Sequence, residues 1–248
     1  MSALAETDRP YLHLFGGPFV TVGGDRTDLP EGCKRLIALV AMRRLRIDRT
    51  AVAGVLWPAV SDRRAAGNLR SALWRMRGAG VELVDADSCS VGLRPDVAVD
   101  AHIAGDWARR LIAGEVRASD LALMPWCDEA LDLLPGWYDD WAVHERERLR
   151  QRVLHALEDL SRHLAAAGRF AEAVEAALVA VGADPLRESA QRALIQAHMA
   201  EGNLVAAFRT YDAYRSLIRS ELGAAPSPLM AALIGRTPPR GDAPVTAG

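Results

Sequence analysis

The chain has 248 residues, 50% of them hydrophobic and 25% charged, with a formal net charge of −2. That balance fits a folded protein of two ordinary domains and excludes a disordered chain. No apolar run approaches the ~20 residues of a bilayer span, and the polar start MSALAETDRP lacks the basic-then-apolar order of a secretion signal, so a cytoplasmic protein is expected.

From Tyr11 to Val22, apolar residues alternate loosely around Gly16-Gly17-Pro18, which predicts two strands and a turn, with a second turn at Gly23-Gly24-Asp25. A helix follows from about Glu31 to Arg43, begun by Pro30 and carrying Leu36, Leu39 and Val40 at helical spacing. A second runs from about Arg49 to Trp57, with Asp48 as its cap and Pro58 as its stop. The third starts at Ser61 or Asp62 and ends at Gly78 or Gly80; Leu69, Leu73 and Met76 form its apolar stripe at i, i+4, i+7. Val81–Val84 and Val91–Leu93 predict a hairpin whose tip is Asp85-Ala86-Asp87-Ser88. Beyond about Asp100 the pattern is helical. A helix over Ala101–Ala113 precedes a stretch with Pro125, Trp126, Pro135, Gly136, Trp137 and Trp141, then a long helix from about Tyr138 to Ala167. The tail 236–248, rich in Pro, Gly and Ala, is expected to be disordered.

Charge is unevenly spread. Between Cys33 and Gly80 the basic residues are Lys34, Arg35, Arg43, Arg44, Arg46, Arg49, Arg63, Arg64, Arg70, Arg75 and Arg77, against the acids Asp48 and Asp62. A basic block inside an otherwise acidic chain is the footprint of a polyanion-binding module. At 100° per residue the third helix turns Leu69, Leu73 and Met76 one way and Arg64, Asn68, Ser71 and Arg75 the other, with Trp74 at the edge and Arg63, Arg70 and Arg77 flanking the stripe. Such a helix has the form of a DNA recognition helix, in which front groups reach base edges and flanking arginines hold phosphates.

The C-terminal part repeats itself every 34 residues: Leu160 and Leu194, Ala166 and Ala200, Gly168 and Gly202, Phe170 and Leu204, Ala173 and Ala207. This period, with a small residue where paired helices cross and a glycine between them, is the pattern of tetratricopeptide repeats. Two repeats are too few to stand alone, so the long helix before Leu160 and the segment Pro228–Ile234 are expected to cap them.

Enzyme signatures are missing from the sequence: it has no dinucleotide fingerprint, Walker lysine loop, nucleophile elbow or His-Glu-x-x-His. His144-Glu145 reads as part of a solvated helix face. Cys33, Cys89 and Cys127 are far apart and without paired spacing, so neither a disulfide framework, a metal site nor a cofactor is expected. Trp126, Trp137 and Trp141 beside prolines read as a docking core, with a small-molecule pocket as the alternative.

The segments VLWP (Val55–Pro58), NLRSALWRMR (Asn68–Arg77), DWAVHERERLRQRVLHALE (Asp140–Glu158), GRFAEAVEAALVAVGADPLRESA (Gly168–Ala190) and ELGAAPSP (Glu221–Pro228) carry a family likeness. The first hundred residues resemble the OmpR-type winged helix-turn-helix. From Tyr11 to Ile234 the chain resembles the Streptomyces antibiotic regulatory protein family, whose second half is the bacterial transcriptional activator domain. The resemblance implies a mainly α fold with small β elements: a DNA-binding domain at 10–97 and a tetratricopeptide-like domain at 98–235. It implies an activator of a biosynthetic gene cluster that binds direct repeats in double-stranded DNA and contacts RNA polymerase. A homodimer or tandem binding is expected, because one helix reads few base pairs.

Carried over by motif, Asn68, Ser71, Trp74 and Arg75 match groove-facing positions, and Arg70 and Arg77 match positions that touch the backbone; Arg64 joins them from the helix rotation. The departure is the wing. Relatives place arginine, glycine and tyrosine there, whereas here the tip is acidic and Arg94 alone is basic. That motivates a rival reading, an interaction module with a degenerate winged helix that regulates through partner binding.

Overall fold

The computed structural model describes residues 9–78 and 82–235. The chain divides into two compact units: residues 1–109 with 125–153, and residues 110–124 with 154–248.

The first unit opens on strands β1 (Tyr11–His13), β2 (Phe19–Val22) and β3 (Asp25–Asp28), the helix α1 (Glu31–Arg43), the two-residue strand β4 (Ile47–Asp48), and helices α2 (Arg49–Leu56) and α3 (Asp62–Arg77). Strands β5 (Val84–Ala86) and β6 (Ser90–Leu93) form the hairpin, and β7 (Ala98–Val99) leads into α4 (Asp100–Ala113). One sheet has the order β3-β2-β1-β7, with β1 and β7 parallel and Leu12 opposite Val20 and Val99; the other, β4-β6-β5, is antiparallel. Helices α1, α2 and α3 pack on one another through Leu36, Ile37, Leu39 and Val40, Val52 and Leu56, and Leu69, Leu73 and Met76, all buried. Asp48 caps α2 as its position predicts, its carboxylate accepting the amides of Thr50 and Ala51.

Two expectations shift. The turn at Gly23-Gly24 is present, and a strand not expected from the sequence follows it: β3, Asp25–Asp28, pairs along β2 although its residues are polar and mostly exposed. The hairpin is offset from its predicted register: β5 starts at Val84, and the tip is Asp87–Cys89. The cause is local. Asp87 Oδ1 accepts the amides of Cys89 (2.7 Å) and Ser90 (2.8 Å), and this side-chain turn outcompetes the ladder where the chain reverses. Val81, placed in the first hairpin strand by its pattern, and Gly80 lie outside the described residues, as does the tail 236–248.

The same unit takes in α5 (Cys127–Ala130) and the first part of α6 (Asp140–Ala166). Trp107 meets Trp126 edge-on at 5.4 Å, and Trp137 meets Trp141 edge-on at 6.0 Å, so these aromatics fill space against each other. Glu145 is not solvated: it is paired with Arg43 (3.8 Å) and Arg148 (3.5 Å), its side chain 12% exposed.

Asp100, at the start of α4, is 5% exposed. Its carboxylate accepts the amides of Leu14 (2.7 Å), Phe15 (2.9 Å) and Ala101 (2.6 Å). Burial pushes the carboxyl up to about 6 against the pull of those amides. A folded value above the unfolded one means that the native state binds the proton more tightly. The contribution to stability is therefore full below about pH 4 and is lost as pH rises through about 6. Asp100→Asn keeps an acceptor and removes the titration. In thermal melts the Asn variant should gain on the wild type from about pH 4 to about pH 7; a constant difference would contradict this assignment.

The second unit holds the rest of α6, then α7 (Phe170–Ala183), α8 (Glu188–Ala200), α9 (Leu204–Leu222) and α10 (Pro228–Gly235), each of the last four packed on its neighbour. The 34-residue period is visible in the backbone: Gly168 and Gly202 both turn with positive φ, 76° and 83°, where a side chain would be strained. Ala173 and Ala207, at 0% and 1% exposed, occupy equivalent crossings. Ile195, Tyr214, Ile218 and Met230 form the core that holds α10 in place. Arg110 seats the loop before α5 by donating to both oxygens of Asp120 at 2.7 and 2.8 Å, and the guanidinium holds that carboxyl below its ordinary range.

Candidate nucleic-acid interface

Helix α3 is built by its buried face. Ala65, Leu69, Ala72, Leu73 and Met76 are sequestered against the first two helices, which fixes the rotation of the rest. None of the seven predicted site residues is buried: Arg64, Arg70, Ser71, Trp74, Arg75 and Arg77 are exposed and Asn68 is half-buried. Trp74 is 76% exposed, a large apolar surface held in water. Arg70, Ser71, Trp74 and Arg75 line one shallow surface. On its other side Asn68, Ser71 and Arg75 share a groove with Glu31, Gly32, Arg35, Leu56 and Trp57, so the site extends beyond α3 to the start of α1 and the end of α2. Sequence spacing could not reveal those neighbours, which lie on other helices.

Ser71 Oγ donates to the carbonyl of Gly67 at 3.1 Å, which leaves its lone pairs as acceptors toward a ligand. Arg75 reaches back toward α1: a Cβ built on Gly32 would lie 3.0 Å from its Nη2. The nearby guanidinium opposes the burial that raises the pKa of the Cys33 thiol, which itself donates to the carbonyl of Ala72 at 3.4 Å.

The electrostatics separate the basic block into two parts. Outside α3, Lys34 pairs with Glu31 (2.6 Å), Arg35 with Asp139, Arg43 with Glu145, Arg44 with Asp106 (2.9 Å), and Arg46 with Asp85 and Asp87. Arg49 donates to the carbonyl of Asp87 at 2.8 Å. On α3, Arg63, Arg64, Arg70, Arg75 and Arg77 make no ion pair among the described residues. Apart from Arg49, the positive charge of the block that is not ion-paired is thus concentrated on one exposed helix, where it can meet a polyanion. Arg94, the basic residue of the wing, is spent on Glu82 (2.7 Å) and Asp96 (3.0 Å).

Among the described residues no group of three His, Cys, Asp or Glu side chains could hold a metal ion, and no helix is long and apolar enough to cross a membrane. Cys33 and Cys127 are buried thiols and Cys89 is exposed.

Comparison with known proteins bears on the whole arrangement. The model of the bacterial transcriptional activator domain matches residues 97–236. Regulatory protein AfsR of Streptomyces griseus is 31% identical over 222 residues, covering 83% of this chain and 22% of that protein. Regulatory protein AfsR of Streptomyces coelicolor is 32% identical over 241 residues, covering 90% and 24%. The chain therefore spans about a quarter or less of the length of these relatives. Among solved structures, Mycobacterium tuberculosis EmbR in complex with a low affinity phosphopeptide is similar at a TM-score of 0.68 and 20% identity, over 92% of this chain and 64% of that one. At that identity the likeness shows the fold: small N-terminal sheets with a winged helix-turn-helix, and a helical domain after them.

Proposed function

Because the chain belongs to the Streptomyces antibiotic regulatory protein family, regulators of transcription that carry the bacterial transcriptional activator domain, we propose that it is a sequence-specific DNA-binding regulator whose α3 enters the major groove. The observation that carries this reading is the set of arginines without ion pairs on α3, beside the other basic residues of the block, all of which except Arg49 are ion-paired. We assign DNA binding to residues 10–97 and activation to residues 98–235. Asn68, Ser71, Trp74 and Arg75 read bases, and Arg64, Arg70 and Arg77 hold phosphates. The protein activates a biosynthetic or neighbouring gene cluster from direct repeats, in the cytoplasm, as a homodimer or in tandem, with RNA polymerase as partner. The family is one of regulators and not of enzymes.

A gel-shift titration against the DNA upstream of the protein's own gene tests it. Three to five phosphate contacts predict that log K falls with log salt at a slope of roughly −3 to −5. Absence of salt-sensitive binding at low ionic strength would favour the rival reading, in which the helical repeats bind a protein or peptide.

A further inference from the structure

Asp85 and Asp87 sit on the hairpin that the proposed DNA-binding reading lays beside the duplex. Facing phosphates, bare carboxylates there would oppose binding. Their surroundings are particular. Arg46, on the turn leading into β4, donates from Nη1 to Asp85 at 2.6 Å, from Nη2 to Asp87 at 2.7 Å and from Nε to Ser90 Oγ at 2.8 Å. Ser90 Oγ donates in turn to the same oxygen of Asp87 at 3.0 Å, while the other oxygen is taken by the two turn amides. All three guanidinium nitrogens are thus engaged on one hairpin. The close crossing depends on Gly92: a Cβ there would lie 2.9 Å from Arg46 Cγ and 3.4 Å from its Cα. Arg49 adds a second tie, its main-chain amide donating to the carbonyl of Cys89 at 2.9 Å.

The side chains of Arg46, Asp85 and Asp87 are 40%, 66% and 55% exposed, so in free protein solvent screens these pairs and they add little to stability. Their weight changes when a polyanion displaces that water and the local dielectric falls. We infer that Arg46 is a positioning and masking residue of the wing: by pairing with both Asp85 and Asp87 it offsets part of their charge and turns their oxygens inward, so that an acidic hairpin can lie against a phosphate backbone. The inference rests on the DNA-binding reading. It assigns Arg46 neither a base contact nor a phosphate contact. Three of the five N–H donors of Arg46 are engaged on the hairpin, so a phosphate would have to compete with Asp85 and Asp87 for the guanidinium.

The test compares Arg46→Ala, Arg46→Lys, Asp85→Asn with Asp87→Asn, and the triple variant, with wild type. Asn at 87 keeps the acceptor for the turn amides. Two readouts are taken at low salt: anisotropy on the duplex bound by wild type, and the salt needed for elution from heparin, a polyanion independent of any recognition site. Arg46→Ala should weaken DNA binding about tenfold or more and elute earlier from heparin, with its melting temperature nearly unchanged. Arg46→Lys should retain most of the binding, and the triple variant should return to within about threefold of wild type, because the carboxylates that needed masking are gone. A triple variant as weak as Arg46→Ala on both polyanions would overturn the inference, showing that Arg46 holds phosphate or merely braces the turn. Failure of wild type itself to bind any duplex would sink the reading beneath it, and is seen before any variant is compared.

Discussion

Leu69→Ala should lower the free energy of unfolding by about 2 to 5 kcal/mol, the cost of deleting buried methyl groups where the surroundings relax incompletely. Leu69 is 1% exposed and sits at the centre of the α3 face that meets α1 and α2. Its neighbours Ala65, Ala72 and Leu73 are fixed by the same packing and cannot all move in to fill the space. Denaturant titration or calorimetry measures the loss. DNA binding should fall only as far as the folded fraction does, since the side chain points away from the exposed face. Unchanged stability would contradict the rotation of α3 on which every assignment of its outer residues depends.

Arg75→Ala should behave in the opposite way. The residue is exposed, so melting should hardly change, while affinity for the cognate duplex should fall by about 1 to 3 kcal/mol with relaxed discrimination at one base pair. A fork of two donors onto the O6 and N7 of guanine carries that discrimination. In the free protein the guanidinium lies over Gly32 at the start of α1, so it must swing outward by rotating about its own side-chain bonds. Equal loss on all sequences would show that Arg75 contributes charge alone.

Much of this architecture was legible because helices announce themselves by period. The stripe Leu69, Leu73, Met76 gave the buried face of α3, and the 34-residue repeat gave the paired helices whose glycines turn at 168 and 202. Short polar strands leave no such trace: Asp25–Asp28 is an edge strand with no buried alternation, and Ile47–Asp48 and Ala98–Val99 are two residues each. Pairings between distant residues were equally invisible. Arg46 meets the hairpin 39 and 41 positions away, so the sequence showed an acidic tip without the guanidinium that pairs with both of its carboxylates. The nearest signal in the sequence is Gly92 between Val91 and Leu93 of β6, which marks a close approach without saying by what. The inclusion of residues 125–153 in the N-terminal unit likewise follows from contacts such as Arg35 with Asp139, 104 positions apart.

In the proposed complex α3 lies in the major groove with its arginines toward the DNA. Dimethyl sulfate protection of the bound upstream duplex reads this most directly, because it methylates guanine N7 on the major-groove edge and adenine N3 on the minor-groove edge. Protection of guanine N7 within each repeat, lost at one guanine in the Arg75→Ala complex, is the predicted pattern. A complex in which every guanine N7 stays as reactive as in free DNA would contradict it.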